Sequence, residues 1–431
     1  MTGRSAVSIL LPGVFVGVTL ASATAITFVA LRDRPSADPS RARADTSGDN
    51  APTGIRDVRV LIADDIAGLR VRASGGCAWF GESGTQLGES AGDDWSAFSA
   101  SPRGLCADGV PMSANTVTLS ARSAEELIVA VSGEVDPPAE INYPGSLRIS
   151  MREDGRIDVI NEVDVERYLE CVVASEAWPS FHIEAFRVQA IVSRTFVLYQ
   201  MTRRPNAPFD VGATQGSQVY RGVRNDMVGQ RAADAVRFTR GIACTYRQND
   251  EDQLFCAYYS AACGGVSQSA AIFGLEGDIQ PLSGGVECSY CRVAPRETYR
   301  WGPLRMTLRA IEERLLSRYP EFNNLGRLSS VDIAERTPSG RPLVMRLTGN
   351  TGQTKDLLAE RFRFALGSSE FRSTDFELLK RGAEVVFENG RGFGHGLGLC
   401  QWGAQGQAEQ GRRAAEIIAY YYPGAKLLRV Y

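Results

Sequence analysis

From Ile55 onward the chain alternates between short runs of period two and longer stretches of helical period. VRVLIA, LRVRA, VTLSA, LIVAV and LRISM place apolar side chains at alternate positions, separated by Gly, Ser, Asp and Pro turns. That pattern predicts strands, and together these runs predict a small β-rich region over 55–142. LRISM, the turn REDGR and then IDVIN predict a hairpin around Asp154-Gly155. Beyond it the spacing becomes helical. A helix is expected from Val163 to Ser175, with Tyr168, Leu169, Val172 and Val173 on one face and Trp178-Pro179 as its stop. Ile183, Phe186, Ala190, Val197 and Met201 predict a second helix that ends at Pro205. Ser180 is its expected cap, and Glu184 suits its positive first turn. Glu176 thereby falls at a helix–turn–helix junction. Strands are expected around Cys244 and Cys256, a helix over 302–319, strands over 328–350 and 383–388, and a last helix ending at Pro423-Gly424. The class is α+β, a β-rich N-terminal region followed by a mixed helix/strand core over 143–431.

The N-terminus carries a different pattern. No charge occurs between about Ala6 and Leu31, a length that spans a bilayer, which takes about 20 apolar residues. A cleaved signal has a shorter apolar core, so residues 1–31 read as a retained signal-anchor, with a cleaved signal ending near Ala21–Ala25 as the alternative. The poor positive-inside signal, Arg4 before the span against Arg32, Arg34, Arg41 and Arg43 after it, does not set the orientation. Residues 32–54, rich in Pro, Ser, Asp and Arg, read as a disordered linker. Orientation therefore rests on what the rest of the chain does; an export signal predicts the folded part outside the cytoplasm, anchored to a membrane or exported to the cell wall or periplasm.

Composition narrows the chemistry. The chain has 431 residues, enough for two or three domains, and a net charge of −3 with no long basic run, which gives no support to a nucleic-acid partner. There are two histidines, His182 and His395, so most His-rich metal sites are ruled out. Nine cysteines in an exported chain fit an oxidising compartment, and the odd number leaves at least one unpaired or metal-bound. Cys77 with Cys106 and Cys244 with Cys256 are plausible disulfides. C-G-G at 263–265 and C-x-x-C at 288–291 offer three thiolates to zinc, or one disulfide and a free thiol. Cys263 as a catalytic nucleophile lacks a histidine near it in sequence to act as base.

The most specific stretch is V-D-V-E-R-Y-L-E-C-V-V-A-S-E-A-W-P-S-F, residues 163–181. Glu176 has apolar and aromatic neighbours in it; if they surround it in space, desolvation raises its pKa and keeps a proton available near neutral pH. Without that enclosure it is a solvated glutamate at a helix end. In G-R-G-F-G-H-G-L-G-L-C-Q-W-G-A-Q-G, residues 390–406, glycines alternate around His395 and permit close backbone approach. No G-K-[ST] follows, so it is not a phosphate loop. A tight turn with a structural histidine is the plain reading, and His182 reads as a surface or packing residue.

These motifs resemble, in order, those of the stage II sporulation protein D (SpoIID/LytB) family. The 163–181 segment resembles that family's catalytic motif. Q-A-I-V-S-R-T-F at 189–196, Gln218-Val219-Tyr220-x-Gly222 and the closing Ile417-Ile418-x-Tyr420-Tyr421-Tyr422-Pro423-Gly424 resemble further motifs. The 390–406 segment resembles G-x-G-x-G-H-G-x-G-M-S-Q-x-G-A. Ala-Trp stands where Met or a small residue often precedes the Pro. The resemblance covers about residues 55–431. It implies lytic cleavage of peptidoglycan glycan strands between N-acetylmuramic acid and N-acetylglucosamine, giving 1,6-anhydro ends, with Glu176 as general acid and base. It implies a glycan groove to which Arg194, Gln218, Tyr220, His395 and Gln401 contribute. It implies a metal site in which Cys263 and Cys291 match two ligands, Ser260 stands where some members have a His, and Cys288 substitutes. The alternative role is a non-catalytic wall-binding protein that enhances an amidase or another wall hydrolase.

Overall fold

A computed structural model of the chain describes residues 57–123, 127–132, 140–275 and 278–431. The expected anchor and linker lie outside the described residues. No described helix is long and apolar enough to cross a membrane. The fold is α+β, with two sheets against a group of helices and a second lobe built into the chain late.

The alternating runs form two antiparallel-dominated sheets. In the seven-stranded sheet the order is Val211–Gly212, Val58–Ile66, Ile157–Val163, Ser146–Met151, Thr116–Ala121, Cys77–Gly81 and Gln86–Glu89. The six-stranded sheet holds Ile141–Tyr143, Ile128–Ser132, Gly68–Arg72, Ser96–Ser101, Gly104–Ala107 and Val110–Pro111. Ser146–Met151 pairs with Ile157–Val163 in the expected hairpin, Ile149 opposite Val159. Val58–Ile66 pairs with Ile157–Val163, so the first sheet crosses the boundary expected at 142/143. The reason is register: Val58 and Val60 face the same apolar core as Val159 and Val163, and a strand with a buried face completes itself on any matching neighbour.

Helix α1 is Val165–Glu176, capped by Asp164, whose side chain accepts from the backbone of Glu166 and Arg167. Helix α2 is Ile183–Arg203. Its cap is His182, whose ring accepts from the Glu184 backbone N–H, and not Ser180. The turn after Trp178-Pro179 runs two residues further than the sequence suggested before the helix can begin. Helix α3, Met227–Phe238, packs on both. α2 is buried on nearly all sides, including Gln189, Ser193, Arg194 and Thr195, which makes it the axis of this part of the molecule.

Between Cys291 and Cys400 the chain leaves this core and builds another. The lobe carries α4 (Arg296–Tyr299), α5 (Leu308–Arg318), α6 (Ala359–Leu366) and two three-stranded sheets. Trp301, Phe362, Phe371, Phe376 and Phe387 pack edge to face at its centre. The expected 302–319 helix begins only at Leu308, because Leu304–Thr307 pairs with Glu384–Glu388. The chain then returns as Leu399–Cys400, α7 (Gln401–Glu409) and α8 (Ala414–Tyr421).

Candidate functional site

Glu176 is the last residue of α1, and three segments converge on it. The Val219 backbone N–H donates to Glu176 Oε1 at 2.8 Å, and the Tyr259 hydroxyl donates to the same oxygen at 3.1 Å. The Gln401 side chain also hydrogen-bonds the carboxyl. Burial pushes the carboxyl pKa up; the bonds from Val219, Tyr259 and Gln401 and the charge of Arg221 pull the other way without cancelling it. Oε1 accepts two of these bonds, which favours Oε2 as the oxygen that carries the proton of the neutral acid. The residue as a whole is partly exposed.

The tyrosine is aimed by a chain of neutral groups. Tyr168 Oη donates to Gln218 Oε1 at 3.0 Å, and Gln218 Nε2 donates to Tyr259 Oη at 3.2 Å. With an acceptor role already filled, the Tyr259 hydroxyl hydrogen is left for Glu176. Gln218 therefore serves the acid from behind, buried, and does not face a ligand. Tyr220 is also in the core, stacked on Tyr168 and bonded through its hydroxyl to Asn161, so the substrate contact expected of it is not seen.

Arg194 does not reach this site either. It is 0% exposed and grips Glu166 with two bonds of 2.8 Å, Nε to Oε1 and Nη2 to Oε2. Burial pushes the Glu166 carboxyl up, and Arg194 together with Tyr431 and the Gly241 amide brings it below its usual value. Arg194 sits on the face of α2 toward α1 and α3, where a lone guanidinium needs a carboxylate, and Glu166 in the first turn of α1 supplies it. The cation that acts on the acid is Arg221, exposed and just beyond Tyr220.

The 390–406 segment splits between two places. Leu399–Cys400 pairs in parallel with Tyr259–Ser260, and this register delivers Gln401 to the acid. Gln401 Nε2 also donates to Gln189 on α2 at 3.1 Å. Trp402 packs against Trp178 and Phe181 of the turn after Glu176. His395 lies elsewhere. Its ring is edge-on to Tyr258 and it hydrogen-bonds the Tyr259 backbone. His395 therefore contacts the segment that carries Tyr259 through Tyr258 and the Tyr259 backbone, while Glu176 takes the Tyr259 hydroxyl. The charges nearest His395 are Glu360, Arg363 and Arg341 of the inserted lobe, and burial lowers its pKa to about 4, leaving a neutral ring at neutral pH. Glu176 and His395, expected together in one groove, make no hydrogen bond to each other among the described residues; both meet the Tyr259 segment. Two surface hollows at the root of the lobe share Arg300 and Asn389, and neither is lined by Glu176 or Gln401. His182 is an exposed helix cap.

The cysteines form a second centre. Cys263, Cys288, Cys291 and Cys400 are all buried, and their sulfurs lie within 4.8 Å of one another. Cys263 Sγ and Cys291 Sγ are 3.9 Å apart. Tetrahedral zinc with four thiolates at about 2.3 Å sets sulfurs about 3.8 Å apart, so the group fits that ion. Donors point at the sulfurs: the Cys263 N–H at Cys400 Sγ, 3.2 Å, and the Tyr421 hydroxyl against Cys288 Sγ, 3.0 Å. Hydrogen bonds from Cys263, Cys291 and Cys400 pull the Cys288 thiol far down, while Cys263 and Cys400 are pushed up. Ser260 supplies no ligand to this group. Cys400 stands in its place, as Ser260's partner on the next strand. Neither of the other expected disulfides is formed: Cys77 and Cys106 lie in different sheets, and Cys244 is not bridged to Cys256. Thr245 opposes Leu254, a register that sets Cys244 against Phe255 and misses Cys256.

Tyr259, Arg221 and Cys400 escaped the sequence reading. Cys400 had a visible signal, since it occupies the serine position of G-M-S-Q. Nothing local marked Tyr259, whose role depends on pairing with a strand 140 residues away.

The profile of the family described as Stage II sporulation protein (SpoIID) matches residues 153–246, and that of a Domain of unknown function (DUF8618) matches residues 292–398, the inserted lobe. An uncharacterised protein of Brachyspira hyodysenteriae is 30% identical over 298 residues, 67% of this chain and 73% of that one. Stage II sporulation protein D of Bacillus subtilis is 26% identical over 281 residues, 62% of this chain and 75% of its own. The Amidase enhancer of Bacillus subtilis is 37% identical over 65 residues, 15% of this chain and 9% of its own.

Proposed function

The chain belongs to the stage II sporulation protein D family, and on that premise we propose that it is a peptidoglycan lytic transglycosylase in which Glu176 acts first as acid and then as base. The observation that carries this reading is the state of Glu176: a carboxyl raised in pKa by burial, with two neutral donors gathered on one oxygen. The proton on Oε2 passes to the glycosidic oxygen between N-acetylmuramic acid and N-acetylglucosamine as the C1–O bond breaks. Oxocarbenium character develops at C1, and the muramic C6 hydroxyl attacks that carbon. The new carboxylate takes the hydroxyl proton, which closes the 1,6-anhydro ring and restores the acid. No water enters, so one carboxyl serves where hydrolases use two. The Val219 amide, Tyr259 and Gln401 hold the carboxylate between the two steps, and Arg221 adds a favourable charge.

Glu176→Gln keeps the shape and the Val219 bond but has no acidic proton. Turnover on purified glycan strands is expected to fall about 100-fold or more with the fold intact by circular dichroism. Near wild-type turnover removes Glu176 from the mechanism.

The second reading is a wall-binding protein that enhances an amidase. One observation favours it: the Amidase enhancer is similar to this chain over a 65-residue stretch. It predicts glycan binding without anhydro products, alone or with a wall amidase. Both readings put the folded part outside the cytoplasm, held at the membrane by residues 6–31 or exported.

The four-cysteine group supports a structural zinc site of Cys263, Cys288, Cys291 and Cys400. Four protein thiolates leave no open position, so the ion would supply no acid or nucleophile and would fix geometry instead. Cys400 precedes Gln401, and Cys291 and Cys400 are the two stems of the inserted lobe. Such a site would tie the lobe to the strand that presents Gln401 to the acid.

A further inference from the structure

Trp178 is 39% exposed, two residues past Glu176. Large apolar rings at a surface are ordinary when single and mobile. This one is neither. Its ring centroid is 5.5 Å from that of Trp402, which in turn meets Phe181 edge-on at 4.9 Å. The turn that carries it is tied down at several points. The Phe181 N–H donates to the Trp178 carbonyl at 3.0 Å, and Pro179 restricts the Trp178 backbone. Arg231 donates to the carbonyls of Pro179, at 2.8 Å, and Phe181. The His182 N–H donates to Gln405 Oε1 at 2.6 Å. An indole is thus held on a pinned turn and against a second ring while 39% of the residue stays exposed, so much of its ordering entropy is already lost in the free protein.

Its place relative to the acid follows from α7. The first residue of that helix, Gln401, touches Glu176, and the second, Trp402, touches Trp178. Acid and indole therefore stand side by side on one short stretch of backbone. The platform of Trp178, Trp402 and Phe181 bears no charge. A pyranose ring offers an aromatic face a patch of axial C–H groups while its hydroxyls stay wet at the rim. An exposed tryptophan beside an acid suits that ligand, and it suits a neutral sugar better than a charged one.

We propose that Trp178 is a positioning platform on which one neutral N-acetylhexosamine ring of the glycan strand stacks, in the subsite next to the bond that Glu176 protonates. The proposal rests on the glycan reading above. Stacking there would orient the sugar plane and set the glycosidic oxygen toward Oε2, so the platform contributes mainly to binding and alignment.

The test uses the Glu176→Gln chain, which should bind strands without cutting them. Binding of purified glycan strands and of N-acetylglucosamine oligomers is measured by calorimetry, with and without Trp178→Ala and Trp178→Phe. Removing the ring is expected to weaken binding roughly tenfold, in line with the loss of one stacking partner. Phenylalanine is expected to restore most of that loss. In the chain with Glu176 intact, Trp178→Ala should raise KM more than it lowers kcat. Thermal midpoints should stay close, because an exposed ring holds little of the core. Equal binding by the Trp178→Ala chain overturns the platform, and so does a loss that phenylalanine fails to restore. If the Glu176→Gln chain binds no glycan at all, the glycan reading itself fails, and that outcome is distinct from the other two.

Discussion

Glu176 owes its behaviour to groups far from it along the chain. The Tyr259 hydroxyl bonds its ionised form, so Tyr259→Phe takes away a stabiliser of the carboxylate and the pKa climbs further. A general acid works while protonated and fails as pH rises through its pKa. The alkaline limb of the pH–rate profile is therefore expected to move to higher pH in Tyr259→Phe, and an unmoved or lowered limb contradicts the assignment. Arg194 makes the opposite case. Its removal leaves Glu166 buried without its cation, at a cost of about 3–5 kcal/mol. Arg194→Ala should show that as a drop in denaturant midpoint, while any folded fraction keeps its affinity for glycan. Sequence made Glu176 legible because its apolar neighbours Ala177 and Trp178 are adjacent. It misplaced Arg194 and Tyr220, because a motif says that a residue matters and not whether it serves the ligand or the core. Burial and partner decide that, and Glu166 is 28 residues from Arg194.

At the scale of elements, the site depends on the parallel pair Tyr259–Ser260 and Leu399–Cys400. Gly398 lets that pair form. Its φ is +60°, and a Cβ there would lie 2.1 Å from the Tyr258 carbonyl oxygen. Gly398→Ala is expected to destabilise the fold by about 1–3 kcal/mol and to shift Gln401 away from the acid. Activity should then fall further than the loss of stability explains, which a melting curve run beside the turnover assay would detect. The alternation of glycines in 390–398 was readable as close backbone approach, and α1 and α2 were readable from their apolar spacing. The partner strand was not, since two residues of pairing leave no periodicity. The start of α2 was misjudged for a similar reason: Ser180 is the better cap by type, but the turn pinned by Arg231 ends at His182.

Taken whole, the molecule is a two-sheet and helix core interrupted by one lobe, and the interruption falls between Cys291 and Cys400. If zinc holds those residues with Cys263 and Cys288, chelation should lower the melting temperature and expose the lobe's stems to protease. Cys400→Ser should reduce the metal bound per chain by elemental analysis. A full complement of metal in Cys400→Ser removes that cysteine from the site. Of the lobe's strands, those within 328–350 and 383–388 were legible, but Leu304–Thr307, Thr354–Leu358 and Glu377–Arg381 were not, and neither was its separate core, because its two ends meet only in space. The central claim concerns the reaction, and the products reveal it most directly. Purified glycan strands are digested by the whole chain in water enriched in heavy oxygen, and the new ends are weighed. Attack by the C6 hydroxyl predicts 1,6-anhydro-muramic ends with no heavy oxygen, absent when Glu176→Gln replaces the native chain. Reducing ends that carry the label would show that water had made the cut, and the lytic account would be wrong.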